Sequence, residues 1–188
     1  MRIKKHKVIV FGKKCEVELM HFTKGDIRKL KKLFSAWATL TIGLKEFRSR
    51  GANMPEGISE AVFCLHTGSH RILSLKGPAS KSFDTFNLET EKAEQIKACS
   101  VEGDLTSFGP KSVWDDLYFI DFYNNGNIDG TFDIYKIPNS LIKKASVNKG
   151  QKFGHQQIEK RRPRLSIKKD IIKKYNLKPL AHSVKLWS

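Results

Sequence analysis

Apolar and polar residues alternate in two runs near the start of the chain, Val8–Phe11 and Cys15–Leu19. Alternation with a period of two is typical of β-strands, and Gly12-Lys13-Lys14 between the runs favours a tight turn. This pattern predicts an N-terminal β-hairpin.

The apolar positions then change to helical spacing. Thr23 is a residue type that caps helices, and the pattern predicts a helix from there to about Leu40. A second helix is predicted from Glu56 to about Leu65, because Pro55 suits a first helical turn. The apolar residues of the first helix are Ile27, Leu30, Leu33, Phe34 and Trp37, and those of the second are Ile58, Val62 and Leu65.

Five strand-like runs follow the second helix. A polar stretch at 87–92 joins the second run to the third and predicts an antiparallel hairpin. Asn124-Asn125-Gly126-Asn127 is a strong turn signal between the fourth run and the fifth. The five runs are Arg71–Leu75, Ser82–Leu88, Ala93–Ser100, Leu117–Tyr123 and Thr131–Ile137.

The C-terminal part of the chain is predicted to contain a short helix over Asn139–Ala145, a polar loop over Gly150–Pro163 and a basic helix over Ser166–Tyr175, capped by Ser166. The element order indicates an α/β or α+β fold. It would be a single domain, 1–188, with a central mixed β-sheet of about five strands flanked by helices, plus the N-terminal hairpin. We expect the hairpin and first helix over 1–50, a core over 51–145 and a basic C-terminal segment over 146–188.

Charge is distributed unevenly along the chain. Lys and Arg outnumber Asp and Glu by 35 to 19, a formal net charge of +16, which indicates a polyanionic partner. Residues 82–135 hold eleven acids and three basic residues, whereas 1–81 and 136–188 are basic. Because carboxylates repel phosphates, an acidic centre between basic arms favours a protein that places metal ions beside a phosphate.

Other features of the composition limit the class of protein. The sequence has no apolar run long enough for a membrane span, and its basic start precedes only a short apolar run, so no signal peptide is expected. Cys15, Cys64 and Cys99 are far apart and lack CxxC spacing. They favour reduced thiols in a cytoplasm over disulfides or a zinc site.

The candidate chemistry lies on the predicted hairpin, where ten residues separate Asp84 from Gln95-Ile96-Lys97. Alternate side chains share a face of a strand, so Gln95 and Lys97 point the same way and Asp84 can join them from the neighbouring strand. Asp84 would hold Mg²⁺ through oxygen, with the Gln95 amide and the Ile96 backbone carbonyl as further ligands. Lys97 would orient the attacking water or stabilise transition-state charge. An ordinary amphipathic hairpin with a surface lysine would give the same pattern.

A second carboxylate is expected from Glu60 on the predicted Glu56 helix. Its neighbours are apolar, and a buried Glu is costly unless it is paired or binds metal. Helical periodicity would equally permit Glu60 to face solvent. Glu94 is the alternative, although strand parity points its side chain away from Gln95 and Lys97.

Asp84, Gln95 and Lys97, preceded by a helix that bears Glu60, resemble the PD-(D/E)XK nuclease superfamily, whose strand motif is D…(D/E)xK. Gln95 stands where the middle acid is usual, a QxK variant found in the superfamily. The helix Glu supplies a carboxylate there, so the resemblance favours Glu60 over Glu94. Residues 50–170 are similar to small type II restriction endonucleases. The segments that carry this likeness are Asn53–Glu60, Ser82–Asn87, Gln95–Ala98, Asp104–Pro110, Trp114–Phe122, Gly130–Ile137 and Arg161–Ile167.

The resemblance implies a restriction-endonuclease-like core and a prokaryotic, cytoplasmic enzyme that uses Mg²⁺ and no small-molecule cofactor. Its substrate would be double-stranded DNA at a short palindromic site, and GC-rich interrupted sites such as GCNGC are among the targets of this group. The resemblance also implies a homodimer, because two-fold protein symmetry matches a two-fold DNA site.

Hydroxyl and basic side chains after the candidate catalytic strand and near the C terminus are candidates for DNA contacts. The hydroxyls suit phosphate oxygens, although a tight connection between strands would explain them equally well. The dense Lys and Arg residues of 150–174 indicate phosphate binding, and the arginines among them could read guanine. The candidates are Thr106, Ser107, Lys111, Lys160, Arg161, Arg162, Arg164, Lys168 and Lys169.

Two other functions stay compatible with the sequence: a DNA repair or junction nuclease with the same core, and a basic nucleic-acid-binding protein without catalysis. Other hydrolase classes lack their motifs, since there is no nucleophile elbow and no GxxxxGK[ST] phosphate loop. Gly68 interrupts the His66 and His70 pair, and no third ligand follows, so the histidines are expected to have surface or packing roles.

Overall fold

The computed structural model describes residues 1–49, 51–79, 82–148, 150–185 and 187. Its strands are β1 (Arg2–Val10), β2 (Lys13–His21), β3 (His70–Lys76), β4 (Thr85–Asn87), β5 (Lys92–Cys99), β6 (Thr106–Ser107), β7 (Asp116–Asp121), β8 (Phe132–Ile137), β9 (Ser146–Asn148), β10 (Gln151–Lys152), β11 (Arg164–Leu165) and β12 (Ala181–Val184). Its α-helices are α1 (Ile27–Glu46), α2 (Glu56–Thr67), α3 (Asn139–Lys144) and α4 (Phe153–Ile158). A π-helix covers Lys168–Lys173, and 3-10 turns cover Lys24–Asp26 and Asn124–Gly126.

One mixed sheet of eight strands organises the described residues, in the order β1-β2-β3-β4-β5-β7-β8-β12. The pair β5 and β7 is parallel, and the other neighbouring pairs are antiparallel. The fold is therefore α/β with a large mixed sheet, as predicted.

The prediction of about five strands was wrong, because both edges of the sheet extend further than the sequence indicated. The N-terminal hairpin is not an appendage: β2 pairs with β3 and continues the sheet. Its inward residues Val17 and Leu19 are fully buried, which an isolated hairpin could not achieve. At the opposite edge, the short β12 pairs with β8.

Helices cover both faces of the sheet. Successive side chains of β7 point alternately to one face and the other. Tyr118 and Ile120 face the core under α1 and α2, whereas Leu117 and Phe119 face α3, α4 and the π-helix. A third apolar cluster lies under the β1–β2 hairpin and includes Phe86.

Most predicted elements are confirmed in type and position, although α1 continues to Glu46, beyond the predicted end near Leu40, and two elements need correction. The run Ser82–Leu88 contains only a three-residue strand, β4. The predicted loop Gly150–Pro163 instead contains β10 and α4, because Phe153 is buried against Phe108 and anchors a polar segment that has little helical pattern of its own. The last helix is a π-helix with Ile167 at its N-cap position, so the predicted cap Ser166 lies one residue earlier; its Oγ still accepts the Lys169 N–H at 3.0 Å.

In the part of the chain that the structure covers, no helix has both the length and the apolar character needed to cross a bilayer.

Candidate active site

Asp84 lies just before β4, where its backbone is fixed from both sides. Its N–H donates to the Glu94 carbonyl at 2.9 Å, and its carbonyl accepts the Ile72 N–H at 3.0 Å. The carboxylate turns towards β5: Oδ2 accepts the Ile96 N–H at 2.8 Å and also a hydrogen bond from Nε2 of Gln95. Asp84 is thus in direct contact with residues that are eleven and twelve positions later in the sequence.

Lys97 shares the Asp84 side of β5. The strand alternates, so Ile96 packs under α1 and α2 while Lys97 faces the C-terminal layer, with Nζ 5.3 Å from the centre of the Phe108 ring. Burial raises the pKa of the Asp84 carboxyl, and the Ile96 hydrogen bond and the Lys97 charge oppose that rise. Asp84 and Gln95 are therefore in contact, and Lys97 lies near enough for its charge to act on the Asp84 carboxyl.

Glu60 is buried on α2, not exposed to solvent. Its Oε2 accepts a hydrogen bond from Nε of Arg71, the second residue of β3. Burial, and next the Asp84 charge, raise the pKa of Glu60 to about 7, while Arg71 opposes the shift. This coupling means that Glu60 and Asp84 lie close enough for their charges to interact.

Arg71 is a residue of this site that the sequence analysis missed. Glu56 also faces it, with Oε1 3.9 Å from a guanidinium nitrogen. The available signal was the spacing of Glu56 and Glu60, which are four apart and share a helix face just before the strand that carries Arg71.

Glu94 occupies the opposite face of β5. It is buried, and one of its carboxylate oxygens accepts a hydrogen bond from the Thr85 hydroxyl at 2.8 Å. Burial raises the pKa of its carboxyl. Glu94 therefore has a protein partner of its own and does not share the Gln95 and Lys97 face.

The ligand types suit a hard cation. The carboxylates of Asp84 and Glu60, the Gln95 amide and the Ile96 carbonyl offer oxygen only, which Mg²⁺ prefers. Gln95 turns its amide nitrogen to Asp84, and a half-turn about its last side-chain bond would present the oxygen instead. Within the described ranges, no group of three or more His, Cys, Asp or Glu side chains is arranged to hold a metal. The residues fit Mg²⁺ as a site of two carboxylates completed by neutral oxygens and water.

The loop after β5 connects this site to the basic C-terminal segment. Asp104 is buried, and it accepts hydrogen bonds from the Ser166 hydroxyl at 2.5 Å and the Ile167 N–H at 2.9 Å. In addition, β6 pairs with β11, which sets Ser107 opposite Arg164. The hydroxyl pair and an arginine that were predicted separately to contact DNA therefore lie side by side.

The remaining predicted DNA-binding residues fall into two groups. Lys168 is largely covered: its Nζ lies 2.6 Å from an Asp121 oxygen and 4.4 Å from the centre of the Tyr123 ring. Arg161 pairs with Glu159 at 3.3 Å but stays exposed. The others are exposed or partly exposed: Lys111, Lys160, Arg162 and Lys169.

Three histidines from neighbouring strands also meet, which no sequence spacing indicated. The Nε2 atoms of His6 and His21 are 3.1 Å apart, and the rings of His21 and His70 stack at 3.9 Å. Burial, and next the charge of His21, lower the pKa of His70 to about 4. The three rings form a packed contact between neighbouring strands of the sheet.

Comparisons with known proteins add to this geometry. The family model described as Bsp6I restriction endonuclease matches residues 22–174. The chain belongs to this family. The type II restriction enzyme Bsp6I of Bacillus sp. (strain RFL6) is 33% identical over 153 residues, which cover 80% of this chain and 83% of the relative. The enzyme class is therefore type II site-specific deoxyribonuclease. No solved structure matches the chain.

Proposed function

We propose that the protein hydrolyses phosphodiester bonds of double-stranded DNA in a Mg²⁺-dependent reaction at a PD-(D/E)XK-type site of the QxK variant. The convergence of Asp84, Gln95 and Lys97 at the β4–β5 hairpin carries this proposal. Glu60 supplies the second carboxylate, because its charge is coupled to that of Asp84 whereas Glu94 is bonded to Thr85 on the other face.

Each residue has a distinct role in the proposed reaction. Asp84 and Glu60 would hold the cation, with Gln95 and the Ile96 carbonyl as neutral oxygen donors. Mg²⁺ at this position would supply polarisation of the phosphoryl oxygen and a lowered pKa of water. Lys97 places a positive charge on the same side of the sheet, where it orients the attacking water and stabilises negative charge on the phosphate.

The DNA would lie across the surface formed by β6, β11 and the exposed basic residues near them. Hydroxyls of Thr106 and Ser107 and the lysines contact phosphates, which fixes the register of the protein on the duplex. Arginines among 161–164 are the candidates to read guanine in the major groove. We propose a short palindromic target, GC-rich and interrupted as in GCNGC, cut by a homodimer with one site per strand.

Digestion of phage DNA tests this function. The wild-type enzyme is expected to give discrete fragments with Mg²⁺ and none with EDTA, and sequencing the fragment ends gives the target and cut position. A smear without common ends, or cutting only at branched DNA, would favour a repair or junction nuclease instead. Salt-sensitive DNA binding without any strand scission would favour a non-catalytic DNA-binding protein.

A further inference from the structure

An apolar stripe that the described chain leaves largely exposed follows α1 and ends at its C-cap residue, Phe47. Leu33, Leu40 and Phe47 are 51%, 56% and 85% exposed. They are seven residues apart, a spacing that drifts by only about 20° per step around a helix, so they share one face over about 21 Å. Phe47 has the largest exposed fraction among the exposed large apolar side chains of the described residues.

An apolar groove lies beside one end of this stripe. It runs between α1 and α2 with a volume of about 470 Å³, and Leu33 forms its lip. Its walls include Trp37, Ile58, Ala61 and Leu65, and Arg71 of the candidate active site also lines it. The stripe therefore has a protruding aromatic ring at one end and an apolar groove at the other.

This arrangement is complementary to itself. If two copies of α1 pack antiparallel about Leu40, Phe47 of each copy meets Leu33 of the other, at the lip of the groove. A two-fold interface requires such self-complementarity, because the same patch serves both subunits. We propose that α1 is the homodimer interface and that Phe47 of one copy inserts into the α1–α2 groove of the second copy. The proposal deepens the homodimer of the proposed function and rests on it.

Gly43 supports the close approach of a second helix. It lies inside α1, where Gly is unfavourable relative to Ala. A Cβ at this position would meet nothing within 4 Å, so packing within the chain does not explain the glycine. Ala36 lies seven residues earlier and is also exposed. In the antiparallel arrangement, Ala36 of one copy faces Gly43 of the other, where small residues allow the helix backbones to approach.

The stripe would contribute apolar area to a dimer interface. Such an interface needs about 500 Å² from each subunit, and one buried Phe side chain supplies about 150–250 Å². Leu33 and Leu40 extend along one face of α1, a helix about 30 Å long, and the groove between α1 and α2 lies beside that face. Arg71 lines the groove that Phe47 would enter. Dimer formation would therefore place an apolar ring from the second copy near the Glu60–Arg71 pair.

Sedimentation of the full chain without DNA tests the interface. The wild type is expected at twice 21.5 kDa, and Phe47→Asp and Leu40→Asp are expected to weaken association by about 30-fold or more, with unchanged circular dichroism. Ile42→Asp is the matched control: Ile42 is 49% exposed on the same helix, but it lies about 200° around the axis from Leu40 and should leave the dimer intact.

Oxidative cross-linking tests the register. Leu40→Cys should form an intermolecular disulfide in high yield, because the two-fold axis passes near this position, whereas Ile42→Cys should not. The natural Cys15, Cys64 and Cys99 are buried and provide a low background. Added salt should tighten the dimer, since lysines 29 and 32 flank the stripe on both copies, whereas it weakens DNA binding.

The outcomes separate this interface from the nuclease assignment. A wild-type monomer at micromolar concentration, or a Phe47→Asp protein that dimerises like the wild type, overturns the α1 interface while cleavage persists. Loss of cleavage in the wild type with an intact, α1-dependent dimer would instead overturn the proposed reaction and leave the interface standing.

Discussion

The backbone N–H of Ile96 donates to Oδ2 of Asp84 at 2.8 Å, which fixes the carboxylate of one strand on the backbone of the next. Gln95 approaches the same oxygen. The position of Asp84 therefore depends on the backbone register of the β4–β5 pair, where Thr85 lies opposite Glu94, and not on its own rotamer alone.

The identity of the second carboxylate can be decided by exchanging each candidate for its amide. Glu60→Gln is expected to slow DNA cleavage on the order of 100-fold, because it removes a charged oxygen from the metal site. Glu94→Gln changes a carboxylate of similar burial that accepts the Thr85 hydroxyl and does not share the Gln95 and Lys97 face, and it should retain cleavage within a few-fold. Single-turnover cleavage at saturating Mg²⁺ measures both. Equal losses in the two variants would contradict the assignment of Glu60.

The raised pKa of Glu60 predicts how stability depends on pH in the metal-free protein. Between about pH 4.5 and 7, the folded chain binds a proton that the unfolded chain releases, so this contribution favours folding below the unfolded pKa and is lost as pH rises through the folded pKa of about 7. The difference between the pKa of Glu60 in the unfolded chain and in the folded chain corresponds to about 3 kcal/mol in the free energy of unfolding.

Urea denaturation in EDTA at several pH values between these limits measures the effect. The decrease in unfolding free energy with rising pH should be smaller in Glu60→Gln than in the wild type, because the glutamine does not titrate. Parallel curves for the two proteins would show that Glu60 does not carry a raised pKa.

Asp104 is expected to hold the basic C-terminal segment against the loop after β5. Asp104→Ala removes the acceptor of the Ser166 hydroxyl and of the Ile167 N–H and should lower the free energy of unfolding by about 2–3 kcal/mol. It should also weaken DNA binding, because Arg164 belongs to the same segment as Ser166 and Ile167, which Asp104 holds in place. The exposed Glu102→Ala is the control and should change neither property. Loss of stability without any loss of DNA affinity would separate Asp104 from DNA binding.

Two adjacent lysines should behave differently in DNA binding. Lys169 is exposed, so Lys169→Ala is expected to reduce the slope of log affinity against log salt by about one, the change for one phosphate contact. Lys168 pairs with Asp121 and covers Tyr123, so Lys168→Ala should lower stability and leave that slope unchanged. Fluorescence anisotropy in EDTA, at several salt concentrations, measures both. A reduced slope for Lys168→Ala would show that the ion pair opens on DNA.

Local patterns predicted the strand pairing that carries the candidate site, whereas long-range contacts were not predictable from them. The β4–β5 hairpin is local in sequence, so strand parity was enough to place Gln95 and Lys97 on one face with Asp84. The Asp104–Ser166 contact spans 62 residues and depends on how the C-terminal segment folds back. A sequence pattern contains no information about that return path.

Burial also decided features that the sequence left open. The apolar neighbours of Glu60 allowed either a buried or an exposed side chain, and the choice depends on Arg71, which lies on the other side of the Gly68 turn. α4 has only six residues and a polar sequence, so its helix depends on the tertiary burial of Phe153. The same holds for β12, which is defined by its pairing with β8.

The most direct test of the account measures single-turnover cleavage of a DNA fragment that contains the target site. Asp84→Ala and Lys97→Ala should each reduce the rate on the order of 100-fold or more at saturating Mg²⁺, while DNA affinity in EDTA stays near that of the wild type. Glu89→Ala, an exposed acid at the turn after β4, should cut at the wild-type rate. Cleavage by Asp84→Ala at the wild-type rate would contradict the proposed metal site at the β4–β5 hairpin.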